Sequence, residues 1–130
     1  MPVTSAIIDG IIYTEMSGEI NYDHVIMHVD FLVTLKDTIV NRYELHDHSN
    51  TENISLTADD ILKIAKYSIK AENIFKHTFL AIYAPTDLSF GIARMSETFY
   101  ALEKHSMVSK IFKDREKAIQ FLMEQKRKYG

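Results

Sequence analysis

The chain alternates short apolar runs with longer stretches in which apolar residues recur at helical spacing. Two β-branched runs, TSAII and GIIYTEM, flank Asp9-Gly10, a dipeptide typical of two-residue β-hairpins, so we expect them to pair antiparallel. Beyond Asn21, four segments of helical periodicity alternate with the strand-like runs NRYELHD, HTFLAIYA and SMVSKIF. The predicted order is a β-hairpin followed by α-β-α-β-α-β-α, which implies parallel strands in a sheet covered by helices.

Capping residues mark where the predicted helices begin. Asn21, Thr57 and Asp114 are good N-cap residues, and Asp60 lies three positions after Thr57, as in a variant of the capping box. In the third helix one apolar stripe predicts the face that packs on the sheet. Its members are Leu88, Ile92, Met95, Phe99 and Leu102.

The first predicted helix is apolar on two faces. We expect one face to pack on the sheet, and it consists of Tyr22, Val25, Ile26, Val29, Leu32 and Val33. On the other face Met27, Phe31 and Leu35 recur every four residues. A chain of this size has little material to cover a second apolar face, so these three residues are predicted to bind a partner. Self-association and burial beneath the segment HDHSNTENIS are the main alternatives, and self-association to a homodimer is favoured.

Composition limits the classes of function. With 130 residues, 46% hydrophobic and 25% charged, the chain is expected to form one domain spanning residues 1–130. A net charge of -3 argues against a general nucleic-acid binder. The first helix carries Asp23, Asp30 and Asp37, so docking on an anionic membrane surface is not favoured. The absence of cysteine and of a signal-peptide pattern favours the cytoplasm.

The stretch RYELHDHSN places three polar residues at the end of a predicted strand. His46 and His48 would point to one side and Asp47 to the other. A metal would need a third ligand, and the remaining histidines are predicted either at the opposite end of the strands or on outward or sideways faces of the first helix. They are His77 and His105, and His24 and His28. We therefore predict neither a metal site nor a cofactor, and the solvated end of a strand is the favoured interpretation over a binding loop or an acid-base pair of Asp47 and His48.

Ligands of open α/β sheets favour the carboxyl ends of parallel strands. Here those ends are the turns after Asp47, Ala84 and Phe112. Phe90 lies away from the apolar stripe of its helix, with Arg94 one turn further on the same side, so the two are predicted to form the wall of a small pocket or partner site. The alternative is that Phe90 packs beneath a neighbouring loop. The predicted binding residues at this edge are Asp47, His48, Ser49, Phe90 and Arg94.

Four segments carry a resemblance to a known family: GEINYDHV, YELHDHS, LAIYAPTDLSFGIARMSETF and KIFKDREKAIQFL. Together with the order of elements, they resemble the STAS fold, and in particular its SpoIIAA-like branch, which is related to the CRAL-TRIO lipid-transfer domains. The resemblance implies an α/β fold with a mixed sheet, in the order β-β-α-β-α-β-α-β-α. These segments are packing and capping patterns, so they speak for the fold more than for the function.

The resemblance implies binding rather than catalysis. STAS domains that antagonise anti-sigma factors are phosphorylated on a serine in an Asp-Ser-Ser-Gly turn, whereas the corresponding turn here reads TENISLTADD. Ser55 and Thr57 are the candidate phosphoacceptors near that position, although capping alone explains Thr57. The leading hypothesis is a non-enzymatic regulatory or interaction domain that binds a protein partner or itself. The alternatives are a binder of small apolar ligands or lipids, and an enzyme that uses the loop at His46-Asp47-His48.

Overall fold

A computed structural model describes residues 2–103 and 107–130. The strands are β1 (Val3–Ile8), β2 (Ile11–Met16), β3 (Gly18–Asn21), β4 (Arg42–Asp47), β5 (Thr51–Ser55), β6 (Thr78–Tyr83) and β7 (Val108–Phe112). The helices are α1 (Tyr22–Val33), α2 (Ala58–Glu72), α3 (Asp87–Glu103) and α4 (Arg115–Tyr129). The predicted alternation of strands and helices is confirmed.

The main sheet has five strands in the order β1-β2-β4-β6-β7. β1 pairs antiparallel with β2, and the remaining neighbours are parallel. The turn between β1 and β2 has positive φ at both Asp9 (51°) and Gly10 (78°), the backbone conformation that a tight two-residue hairpin needs. The predicted antiparallel hairpin is therefore confirmed, and β1 and β7 are the two edges of the sheet.

Each face of the sheet has its own set of helices. Helix α4 covers one face, where Ala118 and Leu122 pack against Tyr43, Leu45 and Phe79. Helices α1, α2 and α3 lie on the opposite face, where two further clusters form around Ile12 and Leu32 and around Leu80 and Ala93. Because side chains alternate along a strand, the even-numbered residues of β4 point towards α1, α2 and α3, and the odd-numbered ones towards α4.

The predicted helix caps are confirmed. The side chain of Asn21 accepts from the backbone N–H of His24, and that of Thr57 accepts from the backbone N–H of Asp60. In both cases the backbone N–H of the cap residue donates in turn to the side chain three positions later. Each pair therefore satisfies two backbone donors at the start of its helix. Asp114 accepts from the backbone N–H groups of Glu116 and Lys117 at the start of α4.

Two short strands were not predicted. β3 and β5 pair in parallel as a separate two-stranded sheet, and β5 lies within the segment that was expected to be a loop. Gly18 has a φ of 70° and begins β3. Its backbone N–H donates to the carbonyl of Asn50, at 3.0 Å, so this small sheet ties the start of α1 to the end of β4.

The predicted faces of α1 and α3 need correction. In α1 the buried side chains include His28, Val29 and Leu32, whereas Val33, which was assigned to the core face, is exposed. In α3 Leu88 and Met95 are exposed, and the buried ones among its described side chains are Ser89 and Ala93. The remaining members of the predicted α3 stripe, Phe99 and Leu102, have side chains that lie outside the described residues, as does the whole of His105.

Candidate functional site

A fully buried carboxylate, that of Glu44, lies at the centre of the sheet. It is 0% exposed and points from β4 towards α1. Its Oε1 accepts from Nε and Nη2 of Arg42, at 2.8 and 2.5 Å. Arg42 is two residues earlier on the same face of the strand and is itself buried. A buried charge without a partner is costly, so this ion pair is what keeps the carboxylate stable in the interior.

Two imidazoles approach the other oxygen of Glu44. Nε2 of His28, from α1, lies 2.6 Å from Oε2, and Nε2 of His46, from β4, lies 3.2 Å from it. The second contact lacks the alignment of a hydrogen bond. Thr14 of β2 donates to the same oxygen at 2.7 Å. The carboxylate therefore gathers groups from three separate elements, and we call His28, Glu44 and His46 the His-Glu-His cluster.

The surroundings of the cluster lower the pKa of two of its side chains, Glu44 and His46. Burial by itself would raise the pKa of Glu44, but the charges of Arg42, His28 and His46 and the hydrogen bond from His28 hold it well below its usual value. Burial lowers the pKa of His46, although the neighbouring Glu44 opposes that effect. The structure thus favours an ionised Glu44 and a neutral His46.

Sequence reasoning missed most of this cluster. His28 was expected on an outward or sideways face, but the structure places it in the interior, because Glu44 supplies a partner that the helical pattern alone does not show. His24 stays out of the cluster, since its ring accepts from the backbone N–H of Asn21 in the helix cap. His77 lies before β6, and its ring contacts that of Tyr129 at a tilted angle, with 4.8 Å between the ring centres. The groups beside His46 are therefore Glu44, from its own strand, and His28, from α1.

Beside the cluster lies a small apolar cavity at the carboxyl ends of β4 and β6. Its volume is about 100 Å³. His46, His48 and Ser89 are its polar lining groups, and the other lining side chains are apolar: Met16, Ile20, Val25, Ile54, Leu56, Ile64, Leu80, Ile82, Ile92 and Ala93. Its position agrees with the rule that ligands bind at strand ends in open α/β sheets.

His48 belongs to this cavity. Its Nδ1 lies 3.1 Å from the hydroxyl of Thr51. Burial, together with the charge of His46, lowers the pKa of His48 to about 4, and Asp47 offsets only part of that shift. The imidazole is therefore neutral near pH 7.

Asp47 lies on the opposite face of the sheet, as the strand alternation predicted. Its side chain accepts from the backbone N–H of Ser49 at 2.8 Å and from Nε of Arg115 at 3.1 Å. Burial would raise the pKa of Asp47, but the bonds from Ser49 and Arg115 outweigh burial and lower it. Asp47 and exposed Ser49 therefore do not share a site with His48, although all three were predicted to line one binding edge.

Phe90 packs partly against the cluster around Leu80 and Ala93, whereas its neighbours Ser89 and Ile92 line the cavity. Nζ of Lys113 and Cζ of Arg94 lie 4.9 and 5.9 Å from the centre of the Phe90 ring. The predicted proximity of Phe90 and Arg94 is confirmed. The two residues lie beside the cavity and are not part of its lining.

A second concave surface lies between α1 and the edge strand β1, and we call it the edge groove. Its volume is about 420 Å³, and it is lined by Pro2, Val3, Ser5, His24, Met27, His28 and Phe31. Met27 is 57% exposed, and Phe31 packs partly on the core. The prediction that Leu35 belongs to the same exposed face is wrong: Leu35 is 8% exposed and packs with Ile12 and Leu32, because the chain leaves the helix after Val33.

The candidate phosphoacceptors occupy different settings. Ser55 is an exposed residue at the end of β5, and its hydroxyl lies 3.5 Å from a carboxylate oxygen of Glu19. Thr57 caps α2, and its Oγ1 accepts from the backbone N–H of Asp60 at 3.0 Å. Phosphorylation at either residue stays a prediction.

Comparison with known proteins identifies the fold of this chain. No protein-family model matches this chain, and no curated protein does. Among solved structures, an uncharacterized protein of the DUF3478 family with a SpoIIAA-like fold, from Shewanella loihica, is similar with a TM-score of 0.58 and 20% sequence identity. The similarity covers 92% of this chain and 91% of that one. The chain has a SpoIIAA-like fold.

The SpoIIAA-like assignment confirms the resemblance found in the sequence and the mixed α/β architecture. At 20% identity it describes the fold and carries no ligand or partner with it. In the ranges that the structure describes, every helix is too short or too polar to cross a lipid bilayer.

Proposed function

We propose that this SpoIIAA-like chain is a non-enzymatic interaction module whose partner is a second copy of itself. The observation that carries this proposal is the free edge of β1, which carries no charged residue and is continuous with the edge groove. The groups that a catalyst would use, His28, Glu44 and His46, face one another in the interior, which favours binding over chemistry. The regulatory role implied by the sequence resemblance would be exercised through this association.

The β1 edge lacks the devices that protect most edge strands. Proteins commonly guard a free edge with lysine, proline or a bulge. β1 reads VTSAII, with no charged residue and no proline, and pairs with β2 in regular register. The opposite edge strand, β7, carries Lys110. The difference between the two edges supports β1 as the edge that a second copy would cover.

The backbone of β1 offers a self-complementary pattern. The carbonyl of Pro2 accepts from the N–H of Ser17, so in the alternation of an antiparallel ladder the even-numbered residues bond to β2. The backbone groups of Val3, Ser5 and Ile7 then point away from the sheet. Two copies related by a two-fold axis at Ser5 would pair Val3 with Ile7 of the second copy, and Ser5 with Ser5.

The edge groove extends this surface. Val3, Ser5 and Ile7 are opposite Met16, Thr14 and Ile12 in the β1-β2 register, so their side chains lie on the α1 face. In the proposed dimer the two copies of α1 lie on the same face of one continuous sheet, with Met27 and Phe31 towards the axis. Burying these apolar side chains supplies the hydrophobic part of the association.

Sedimentation velocity over a range of concentrations tests the proposal. We expect a reversible dimer, and we expect Met27→Lys to weaken it at least tenfold. Met123→Lys is the matched control, because Met123 is 58% exposed, like Met27, but lies on α4 at the other face. A protein that stays monomeric at all concentrations, or a dimer that Met123→Lys disrupts and Met27→Lys does not, would contradict the proposal.

A second pair of variants tests the strand edge itself. Ile7→Lys places a charge where the backbone groups are free, so we expect it to prevent dimerisation. Ile8→Lys changes the neighbouring residue, which is more exposed but whose backbone groups already face β2, and we expect it to leave the dimer intact. Equal effects of the two variants would show that β1 does not pair edge to edge.

The cavity supports a second candidate function, the binding of a small apolar ligand. A volume of about 100 Å³ is smaller than the roughly 150 Å³ cavity that accommodates benzene, so the ligand would be a small molecule or only the end of a longer chain. The neutral imidazole of His48 provides a polar contact. Native mass spectrometry of freshly purified protein tests this function: a retained organic mass that Ala93→Phe abolishes would support it, and unmodified mass alone would contradict it.

A further inference from the structure

The His-Glu-His cluster combines the side chains that transition metals prefer. One ligand atom from each of His28, Glu44 and His46 lies within 4.8 Å of the others. Two imidazoles and one carboxylate suit Zn²⁺ and related first-row divalent ions, both in closed sites and in sites with an open position. We propose that these three side chains bind one divalent transition-metal ion, with Zn²⁺ as the reference ion.

Two of the three spacings between the ligand atoms come close to those of a tetrahedral zinc site, and the third, between the two imidazoles, is at most 4.8 Å. Ligands about 2.0–2.1 Å from a tetrahedral zinc ion lie about 3.3 Å apart. Nε2 of His46 is 3.2 Å from Oε2 of Glu44, which already matches. Nε2 of His28 is 2.6 Å from the same oxygen, so the ring has to withdraw by about 0.7 Å to exchange its hydrogen bond for a metal bond.

The hydrogen bonds of the cluster leave Nε2 of His46 and Oε2 of Glu44 able to bind a metal ion. Nε2 of His46 is buried and has no aligned hydrogen-bond partner, whereas a nitrogen in such a place usually has one. Of the two oxygens of Glu44, Arg42 bonds to Oε1, so Oε2, which accepts from Thr14, can act as a single-oxygen ligand. The guanidinium then orients the carboxylate as an outer partner, as ligating carboxylates generally require.

Two concave surfaces adjoin the cluster, and an ion would enter through one of them. His28 forms part of the wall of the edge groove, and His46 forms part of the wall of the apolar cavity. A metal with three protein ligands keeps a position for water or another small ligand, and the cavity beside His46 provides the space for it. Bound there, the ion would join α1 to β4 and stabilise the packing of the helix on the sheet.

Cobalt absorption provides a direct test with untagged, chelator-treated protein. We expect one equivalent of Co²⁺ to bind, with the visible absorption of a low-coordinate site, and Zn²⁺ to displace it. We also expect Zn²⁺ to raise the Tm in a concentration-dependent manner, because the ion binds only the folded cluster. Absence of saturable Co²⁺ binding to the native protein would overturn the proposal and leave the cluster as an ion-pair network.

A variant of His46 decides whether the binding occurs at this cluster. His46→Gln is the sharpest test, since the ring donates no aligned bond and its loss leaves the Arg42–Glu44 pair in place. We expect Co²⁺ binding to weaken at least 100-fold, beyond the effect of losing an outer partner. His48→Gln, two residues along the same face, is the matched control and is expected to bind within about twofold of the native protein. Equal binding by His46→Gln and native protein would overturn the proposal.

These results are independent of the proposed self-association. The dimer requires Met27 and Ile7, and neither is a metal ligand. Metal binding by a monomer would support the site while refuting the dimer, and a metal-free dimer would do the reverse.

Discussion

At the scale of single residues, the interior of the fold contains a carboxylate at a position that usually holds an apolar side chain. Glu44 occupies a central strand and is 0% exposed, where most domains carry valine or isoleucine. The alternation in RYELHD predicts correctly that its side chains divide between two faces. It does not show that His28 and Thr14 meet Glu44, because those contacts join residues 16 and 30 positions apart.

Glu44→Gln tests how much this arrangement contributes to stability. The substitution keeps the shape of the side chain but leaves the buried guanidinium of Arg42 without a counter-charge. We expect the free energy of unfolding to fall by about 3–5 kcal/mol, as when one partner of a buried pair is removed. Urea denaturation followed by circular dichroism measures the change.

An exposed glutamate on another strand provides the control for that experiment. Glu52→Gln on β5 makes the same chemical change on the surface, and we expect a change within about 0.5 kcal/mol. A loss of less than about 1 kcal/mol in Glu44→Gln would mean that the carboxylate is not the counter-charge of Arg42.

At the scale of elements, sequence signals that act within a few positions predicted the structure correctly. Structure that depends on contacts between distant residues was not predicted. The hairpin turn at Asp9-Gly10 and the capping residues Asn21, Thr57 and Asp114 act within a few positions, and each is confirmed. β3 and β5 were missed because they are four and five residues long and become strands only by pairing across about 30 positions of the chain.

The rotation of α1 shows the same limit. Apolar residues occur at most positions of the helix, so more than one stripe could face the sheet. The structure selects the face that contains His28, because its imidazole reaches Glu44. In α3 the small residues Ser89 and Ala93 pack against the sheet, while the larger Leu88 and Met95 stay exposed. Side-chain size at a close contact therefore outweighed hydrophobicity there.

Two glycines allow the same substitution to be tested in opposite local settings. Gly10 in the hairpin turn has a φ of 78°, so Gly10→Ala should cost about 1–2 kcal/mol. Gly91 lies inside α3, where an added Cβ meets nothing within 4 Å. Gly91→Ala should therefore stabilise the protein by up to about 1 kcal/mol through helix propensity. Thermal or urea denaturation of both variants checks the opposite signs, and a change of the same sign in both would contradict these backbone assignments.

At the scale of the whole molecule, the sheet is asymmetric. In the part of the chain that the structure describes, α4 covers one face, three helices cover the other, and the strand order leaves β1 and β7 as the edges. The edge groove, the β1 edge and the cluster at Glu44 lie close together, since Ser5 is 2.9 Å from Thr14 and Thr14 is 2.7 Å from Glu44. A hydrogen-bonded chain thus runs from the proposed interface to the buried carboxylate.

Hydrogen exchange of the β1 amides distinguishes the monomer from the proposed dimer residue by residue. In dilute protein we expect slow exchange at Thr4, Ala6 and Ile8, whose N–H groups bond to β2, and fast exchange at Val3, Ser5 and Ile7. At concentrations where the dimer forms, the second set should slow as well, because each N–H then donates to the other copy. The amides of β6, which lies between β4 and β7 in the sheet, serve as the internal reference. If dimerisation slows exchange along α1 but leaves the odd-numbered β1 amides unchanged, the copies meet through helices and the sheet does not continue between them.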